Sequence, residues 1–132
     1  MTLVVDASVA IPAFLSSAGF SVLREEDLTA PTLLWSECLS ALHELQWRGE
    51  ITSEDADAAR EALATSPVRP VDHPNLRDEA WRIADALGWA KTYDAEYVAT
   101  ARLLDCRMVT LDRRVRRGAD RLGFVVTVDE LG

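Results

Sequence analysis

Lysine, histidine and cysteine are nearly missing from this sequence. Lys91 is its only lysine, and histidine and cysteine occur twice each, as His43, His73, Cys38 and Cys106. The two cysteines lie far apart and match no metal-ligand spacing, which leaves no sulfur site for zinc and makes two buried thiols the expectation. Neither histidine stands near any other candidate group, so no role is assigned to them. Long apolar runs are lacking too: nothing approaches the roughly 18 consecutive apolar residues of a membrane span. The opening Met1-Thr2-Leu3-Val4-Val5-Asp6 carries no basic leader and meets an acid after three apolar residues. It reads as a first strand rather than a signal peptide, and a cytoplasmic chain with no membrane partner is expected. There is no internal repeat, low-complexity segment or linker.

What is present suits a single domain spanning 1–132, with 48% hydrophobic and 27% charged residues, an ordinary balance for a chain that buries one core. Acid predominates, giving a net charge of −8, and a polyanion is repelled by an acidic surface. The charge is unevenly spread, however. Between Arg102 and Arg121 seven arginines (102, 107, 113, 114, 116, 117, 121) stand against Asp105, Asp112 and Asp120, so this segment is +4 and the remainder −12. Either the acids perform a task that needs negative charge, or they cover a solvated face while the arginines meet a partner. The planar guanidinium fork suits phosphate and carboxylate, although genomic base composition also produces an arginine bias.

Along the chain, Leu3-Val4-Val5 is a short buried strand and Ser8 to Leu15 a helix, with a second short helix over Phe20 to Asp27. Leu28-Thr29-Ala30 is a weak strand. Pro31 sits where a helix begins, and Trp35, Cys38, Leu39, Leu42 and Leu45 recur at helical spacing until Gly49. Ser53 opens a third helix to about Ala64. Val68 to Val71 is an edge strand because of Pro70. Pro74 starts a helix with Ala80, Ile83, Ala84 and Leu87 on one side and Gly88 as its stop, and Asp94 opens another with Val98, Ala101 and Leu104 inward. Met108 to Leu111 and Phe124 to Val128 are strands. Short apolar strands alternating with helices predict a three-layer α/β/α sandwich around a mainly parallel sheet of roughly five strands. In such sheets ligands bind outside the carboxyl ends of the strands.

Asp6 and Asp112 each follow a predicted strand directly, so both carboxylates emerge on one sheet edge if the strands are central and parallel. Either could instead cap the next helix; two acids in equivalent places favour a shared site. Glu37 falls opposite the Trp35/Leu39/Leu42 stripe and reads as a solvated glutamate near its helix start, where the dipole favours an acid. Asp94 reads equally as a plain N-cap or as a site residue.

The combination carries more than its parts. Val4-Val5-Asp6-Ala7-Ser8-Val9, the Pro31…Glu37 helix start, Tyr93-Asp94-Ala95-Glu96-Tyr97-Val98-Ala99-Thr100-Ala101 and Val109-Thr110-Leu111-Asp112 resemble, in order and approximate spacing, the motifs of PIN domains. More narrowly, the chain resembles the VapC-type toxins of bacterial toxin–antitoxin pairs. The resemblance runs from Leu3 to near Leu131, and the first motif and the Tyr-Asp-Ala motif are its specific parts. It implies a PIN-like sandwich in which Asp6, Glu37, Asp94 and Asp112 converge in one cleft, and a Mg²⁺- or Mn²⁺-dependent endoribonuclease leaving a 3′-hydroxyl and a 5′-phosphate. It also implies a cognate antitoxin that lays an arginine-like group over the acids, and a homodimer, for which the Trp35–Gly49 and Ser53–Ala64 helices are candidate surfaces.

Four converging carboxylates have a physical consequence. Two unit charges about 4 Å apart repel by about 4 kcal/mol at an effective dielectric near 20, so such a cluster takes up protons or binds a cation. Oxygen donors without histidine or cysteine suit hard ions, hence Mg²⁺ or Mn²⁺, and metal-activated water becomes the nucleophile. Asp6 and Asp94 are expected to hold the main ion, with Asp112 and Glu37 completing the set. Ser8 and Thr110 orient ligands or water in this reading; otherwise they are a helix cap and an ordinary strand residue. Arg113, Arg114, Arg116 and Arg117 form either a solvated charge run or a phosphate-binding rim. Trp35, Trp47, Trp81 and Trp89 could stack on bases, though tryptophan at helical spacing is more often core or interface. A catalytically silent PIN-like scaffold binding RNA or protein is the alternative. An aspartate-nucleophile phosphatase fits poorly because Asp6-Ala7-Ser8 replaces Asp-x-Asp, and a phospho-receiver fits poorly because Lys91 precedes a helix.

Overall fold

The computed structural model describes residues 1–131. Its five strands are β1 (Thr2–Val5), β2 (Asp27–Pro31), β3 (Arg69–Val71), β4 (Arg107–Val109) and β5 (Val125–Val126). They form one sheet in the order β3-β2-β1-β4-β5, every neighbouring pair parallel. The helices are α1 (Ala7–Leu15), α2 (Leu33–Trp47), α3 (Ser53–Ala64), α4 (Leu76–Leu87), α5 (Tyr93–Leu103) and α6 (Arg113–Gly118). From β1 the chain steps outward to β2 and β3, then returns past β1 to β4 and β5. Right-handed crossovers therefore place α1, α2 and α3 on one face and α4, α5 and α6 on the other. The packing agrees: α1, α2 and α3 contact one another, while α4 packs on α5, which lies against β1, β2 and β4. This is the three-layer sandwich the sequence predicts.

A parallel sheet covered on both faces must be apolar throughout. Leu3, Val4 and Val5 of β1 and Met108 and Val109 of β4 are accordingly buried. The chain reverses its direction of travel between β1 and β4, and that switch point leaves a crevice at the carboxyl ends of both strands.

Several expected boundaries move. Phe20 to Asp27 yields only a single 3₁₀ turn over Ser21–Leu23, after which β2 starts at Asp27. Pro31 closes β2, opposite Val71, and does not open α2. Likewise α4 starts at Leu76, two residues beyond Pro74. Strand β4 stops at Val109, and β5 pairs only through Val125 and Val126 because its neighbour offers so short an edge. The buried line of α2 is Leu34, Cys38 and Leu42, whereas Leu39 is 50% exposed and Trp35 half-buried. Leu104, expected inward, lies past the end of α5 and is partly exposed.

Candidate active site

Asp6 leaves β1 at the crevice and caps α1. Its backbone carbonyl accepts from Ala10 N at 3.0 Å and its Oδ1 from Val9 N at 3.3 Å, so both readings of this aspartate, cap and cleft residue, describe one side chain. It is 6% exposed, and a carboxylate so buried needs donors. Ser8 Oγ donates to Oδ1 at 2.5 Å and Thr110 Oγ1 to Oδ2 at 2.6 Å. The two hydroxyls are held in turn by β4 and its continuation: Leu111 N donates to Ser8 Oγ at 2.9 Å and Asp112 N to Thr110 Oγ1 at 3.0 Å. The end of β1 is thereby stitched to the residues after β4, and Thr110 is fully buried.

Asp112 caps α6, its Oδ1 accepting from Arg114 N at 2.9 Å and Val115 N at 3.3 Å. Asp94 is not the cap of α5. It sits in the first turn after Thr92 and Tyr93, half-buried, with no hydrogen bond to its side chain from a described residue. Glu37 is not the solvated glutamate that helical spacing predicts. It lies three residues after Leu34 on the buried side of α2, half-buried, and accepts a short hydrogen bond from the hydroxyl of Tyr97. Tyr97 itself is among the largest fully buried side chains.

The electrostatics connect these groups. Burial raises the Asp6 carboxyl above its ordinary value; the bonds from Ser8, Thr110 and Val9 oppose this, and the charge of Asp94 adds to it. Burial also raises Asp94, helped by the charge of Asp112 and opposed by Arg114. Glu37 is raised by burial, against the Tyr97 bond, with Asp94 and Glu96 adding further. The charge of Asp94 thus bears on Asp6 and Glu37, and that of Asp112 on Asp94. Among the described residues no three acid, histidine or cysteine side chains stand close enough to enclose a metal ion.

The arginines after Asp112 divide. Arg113, Arg114 and Arg117 are exposed, and Arg114 makes a 3.5 Å ion pair with Asp112. Arg116 instead bonds Asp120 at 2.6 Å and Glu130 at 2.7 Å and 3.0 Å, so its donors are turned to the carboxyl-terminal segment rather than to a rim. Of the tryptophans, Trp47 and Trp81 are 80% and 68% exposed. A depression of about 890 Å³ lies between α2 and α3 beside Leu39, His43 and Trp47, and none of the four acids lines it. Sequence reasoning missed Tyr97 as the partner of Glu37, and the only available signal was its place three residues after Asp94. It also missed a second depression beside Asp94, lined by Trp89, Lys91 and Arg114.

Comparisons with known proteins agree with this architecture. The family model described as PIN domain matches residues 3–121. VapC ribonuclease Mb0985 of Mycobacterium bovis is 33% identical over 114 residues, covering 86% of this chain and 87% of that protein. Ribonuclease VapC1 of Mycobacterium tuberculosis is 32% identical over 118 residues, covering 85% and 86%. The crystal structure of PAE2754 from Pyrobaculum aerophilum superposes with a TM-score of 0.76 at 27% identity, covering 99% of this chain and 95% of that one. By sheet order, family model and these relatives together, the chain belongs to the PIN-domain family and, within it, to the VapC group.

Proposed function

We propose that this chain is a divalent-metal-dependent endoribonuclease, the toxin of a toxin–antitoxin pair, and that Asp6, Glu37, Asp94 and Asp112 form its catalytic set. One observation carries the reading: at the sheet's switch point Asp6 is tied through the Ser8 and Thr110 hydroxyls to the backbone of Leu111 and Asp112, so two of the acids border one crevice. The names of the VapC ribonuclease relatives supply the substrate class.

The donor set fits Mg²⁺ or Mn²⁺. It is all oxygen, and the charge of Asp94 raises the proton affinity of Asp6 and Glu37, a cost that a cation removes. Mg²⁺ dehydrates reluctantly and takes one or two carboxylates while keeping several waters, so Asp6 and Asp94 would hold it directly and the other two acids through water. When bound, such an ion supplies an activated water and stabilises charge on the leaving oxygen. The protein's own part is positioning. Asp6 is locked by two hydroxyl donors, Asp94 has no hydrogen bond to its side chain among the described residues, Tyr97 fixes Glu37, and Asp112 is anchored as the α6 cap. Products with a 3′-hydroxyl and a 5′-phosphate follow in this reading.

An antitoxin segment is expected to lie over the acids and present a guanidinium to them. A homodimer would use α2, where Leu39 and Trp47 remain exposed. The spread of the acids also accommodates a silent scaffold that binds RNA or protein without cutting. Incubating a structured-RNA pool with the parent, Asp6→Asn and Asp94→Asn, with and without Mg²⁺ or Mn²⁺, separates the two. Metal-dependent cleavage by the parent alone is expected; variants that cut equally well would sink the assignment.

A further inference from the structure

The second depression, about 440 Å³, opens between the α4–α5 loop and the start of α6, and Asp94 forms part of its wall. This volume is typical of small-ligand sites, and whatever occupies it sits beside Asp94.

Its charge is unlike the rest of the molecule. In a chain of net charge −8, two cations border it, Lys91 and Arg114. Lys91 is exposed and makes no ion pair with a described residue. Arg114 is 81% exposed, and its ion pair to Asp112 spans 3.5 Å. Arg116, which sequence reasoning groups with Arg114, is committed to Asp120 and Glu130. Lys91, without an ion pair to a described residue, and Arg114, held only by its long pair to Asp112, thus come from two separate chain segments and line one hollow.

The wall between them is held in place. Trp89 N donates to Ala84 O at 2.9 Å, and the indole packs so closely on α6 that a Cβ at Gly118 would lie 3.0 Å from its Nε1 and 3.1 Å from its Cζ2. Glycine at 118 lets the α4–α5 loop sit this near to α6, which keeps Lys91 within the same hollow as Arg114.

We propose that this hollow is the subsite for the RNA phosphodiester adjoining the one cut, with Lys91 and Arg114 on its non-bridging oxygens and Trp89 as the wall for the attached nucleoside. The proposal rests on the ribonuclease reading and deepens it. A strand that crosses four carboxylates is repelled there and needs cations beside the cleft. An ammonium and a guanidinium lining one hollow suit an anionic oxygen pair, and an indole offers a sequence-tolerant face to a base.

The test uses the full chain and a short fluorescein-labelled single-stranded RNA of randomised sequence, with Ca²⁺ in place of Mg²⁺, read by anisotropy across a salt series. Losing one phosphate contact on a single strand lowers the salt slope by about 0.7, which at about 0.1 M salt is about a fivefold loss of affinity. Lys91→Gln should show both effects and Lys91→Arg should restore both. Arg60→Gln, the same charge change on α3, should leave slope and affinity within about twofold of the parent. Equal losses in Lys91→Gln and Arg60→Gln would reduce the effect to net charge and overturn the subsite. So would an unchanged Lys91→Gln while the parent binds and cuts RNA, in which case the ribonuclease reading stands. A parent that neither binds nor cuts RNA overturns both.

Discussion

Thr110→Val tests the hydrogen-bond network that holds Asp6. The hydroxyl donates to Asp6 Oδ2 at 2.6 Å and accepts from Asp112 N at 3.0 Å, in a side chain with no exposed surface. Valine has almost the same shape, so no cavity forms and the change isolates the polar contacts. A hydrogen bond to a charged group contributes about 1.5–3 kcal/mol, and leaving the part-buried Asp112 N–H without its acceptor costs about 1 kcal/mol more. Burying a methyl in place of the hydroxyl returns about 0.8 kcal/mol. The net expectation is a loss of about 2–3 kcal/mol at neutral pH.

The loss also depends on pH. Burial already raises Asp6, and the Thr110 bond opposes that rise; without the bond the folded-state pKa goes higher still. A carboxyl that binds its proton more tightly when folded contributes stability below its unfolded pKa. That stability disappears as pH climbs through the folded value. The deficit of Thr110→Val is therefore largest at neutral pH and shrinks as the pH falls towards the ordinary aspartate value of 3.8, by about 1.4 kcal/mol for each unit of added shift. Urea titrations in EDTA at neutral and mildly acidic pH measure both quantities, with Thr110→Ser as the variant that keeps the hydroxyl. A deficit below about 0.5 kcal/mol, or one that is the same at both pH values, would refute the reasoning.

Asp94→Asn removes the shared charge, so without metal it should melt about 2–8 °C higher at neutral pH, the difference fading as pH falls and Asp94 takes up its proton. It should also lose most of the Mg²⁺-induced stabilisation, which for the parent reaches about 2.7 kcal/mol at a hundredfold excess over Kd. Calorimetry checks both. Tyr97→Phe leaves Glu37 half-buried without its donor and should cost about 1–3 kcal/mol in urea denaturation, with kcat falling more than KM rises. Gly118→Ala gains about 0.5–1 kcal/mol of helix preference but forces the Trp89 indole aside, for a net loss of about 1 kcal/mol. In a Trp89→Ala background the same change should become stabilising, and a cycle of four urea titrations would show the sign reverse. Arg116→Gln should leave RNA affinity within about twofold of the parent in filter binding, since its donors face Asp120 and Glu130; a loss equal to one phosphate contact would return it to the rim.

The sheet and its strand-end acids are readable in the sequence because both follow from local chemistry. Leu3-Val4-Val5 ending in Asp6 marks a buried parallel strand and its carboxyl end, and the switch-point rule puts Asp112 on the same edge, although β4 stops three residues short of it. Glu37 is not readable in this way. Two stripes compete on α2, one through Trp35 and Leu39 and one through Leu34 and Cys38, and spacing alone does not choose between them. The choice is tertiary, made where Tyr97, sixty positions away, meets Glu37. Arg116 escapes for the same reason: Glu130 lies fourteen positions on and reaches it only after the chain has turned back. Strand ends are overextended where an apolar run outlasts its partner, as Phe124 to Val128 outlasts β4. Trp89 against Gly118 leaves no sequence signal, because a glycine inside a helix reads as a weakness until the neighbour that needs its missing side chain is known.

The stitch between Ser8 and Thr110 joins positions 102 residues apart, and this fixes an order of events during synthesis. At about 5–20 residues per second, some 5–20 s separate the appearance of Asp6 from that of Asp112 at the ribosome. Throughout that interval β1 lacks the neighbour that supplies Thr110, and Asp6 has only the donors of its own segment. Whatever chemistry the crevice performs therefore begins only after β4 has docked beside β1. Until Thr110 and Asp112 have emerged, a nascent polypeptide holds one side of the crevice without the other.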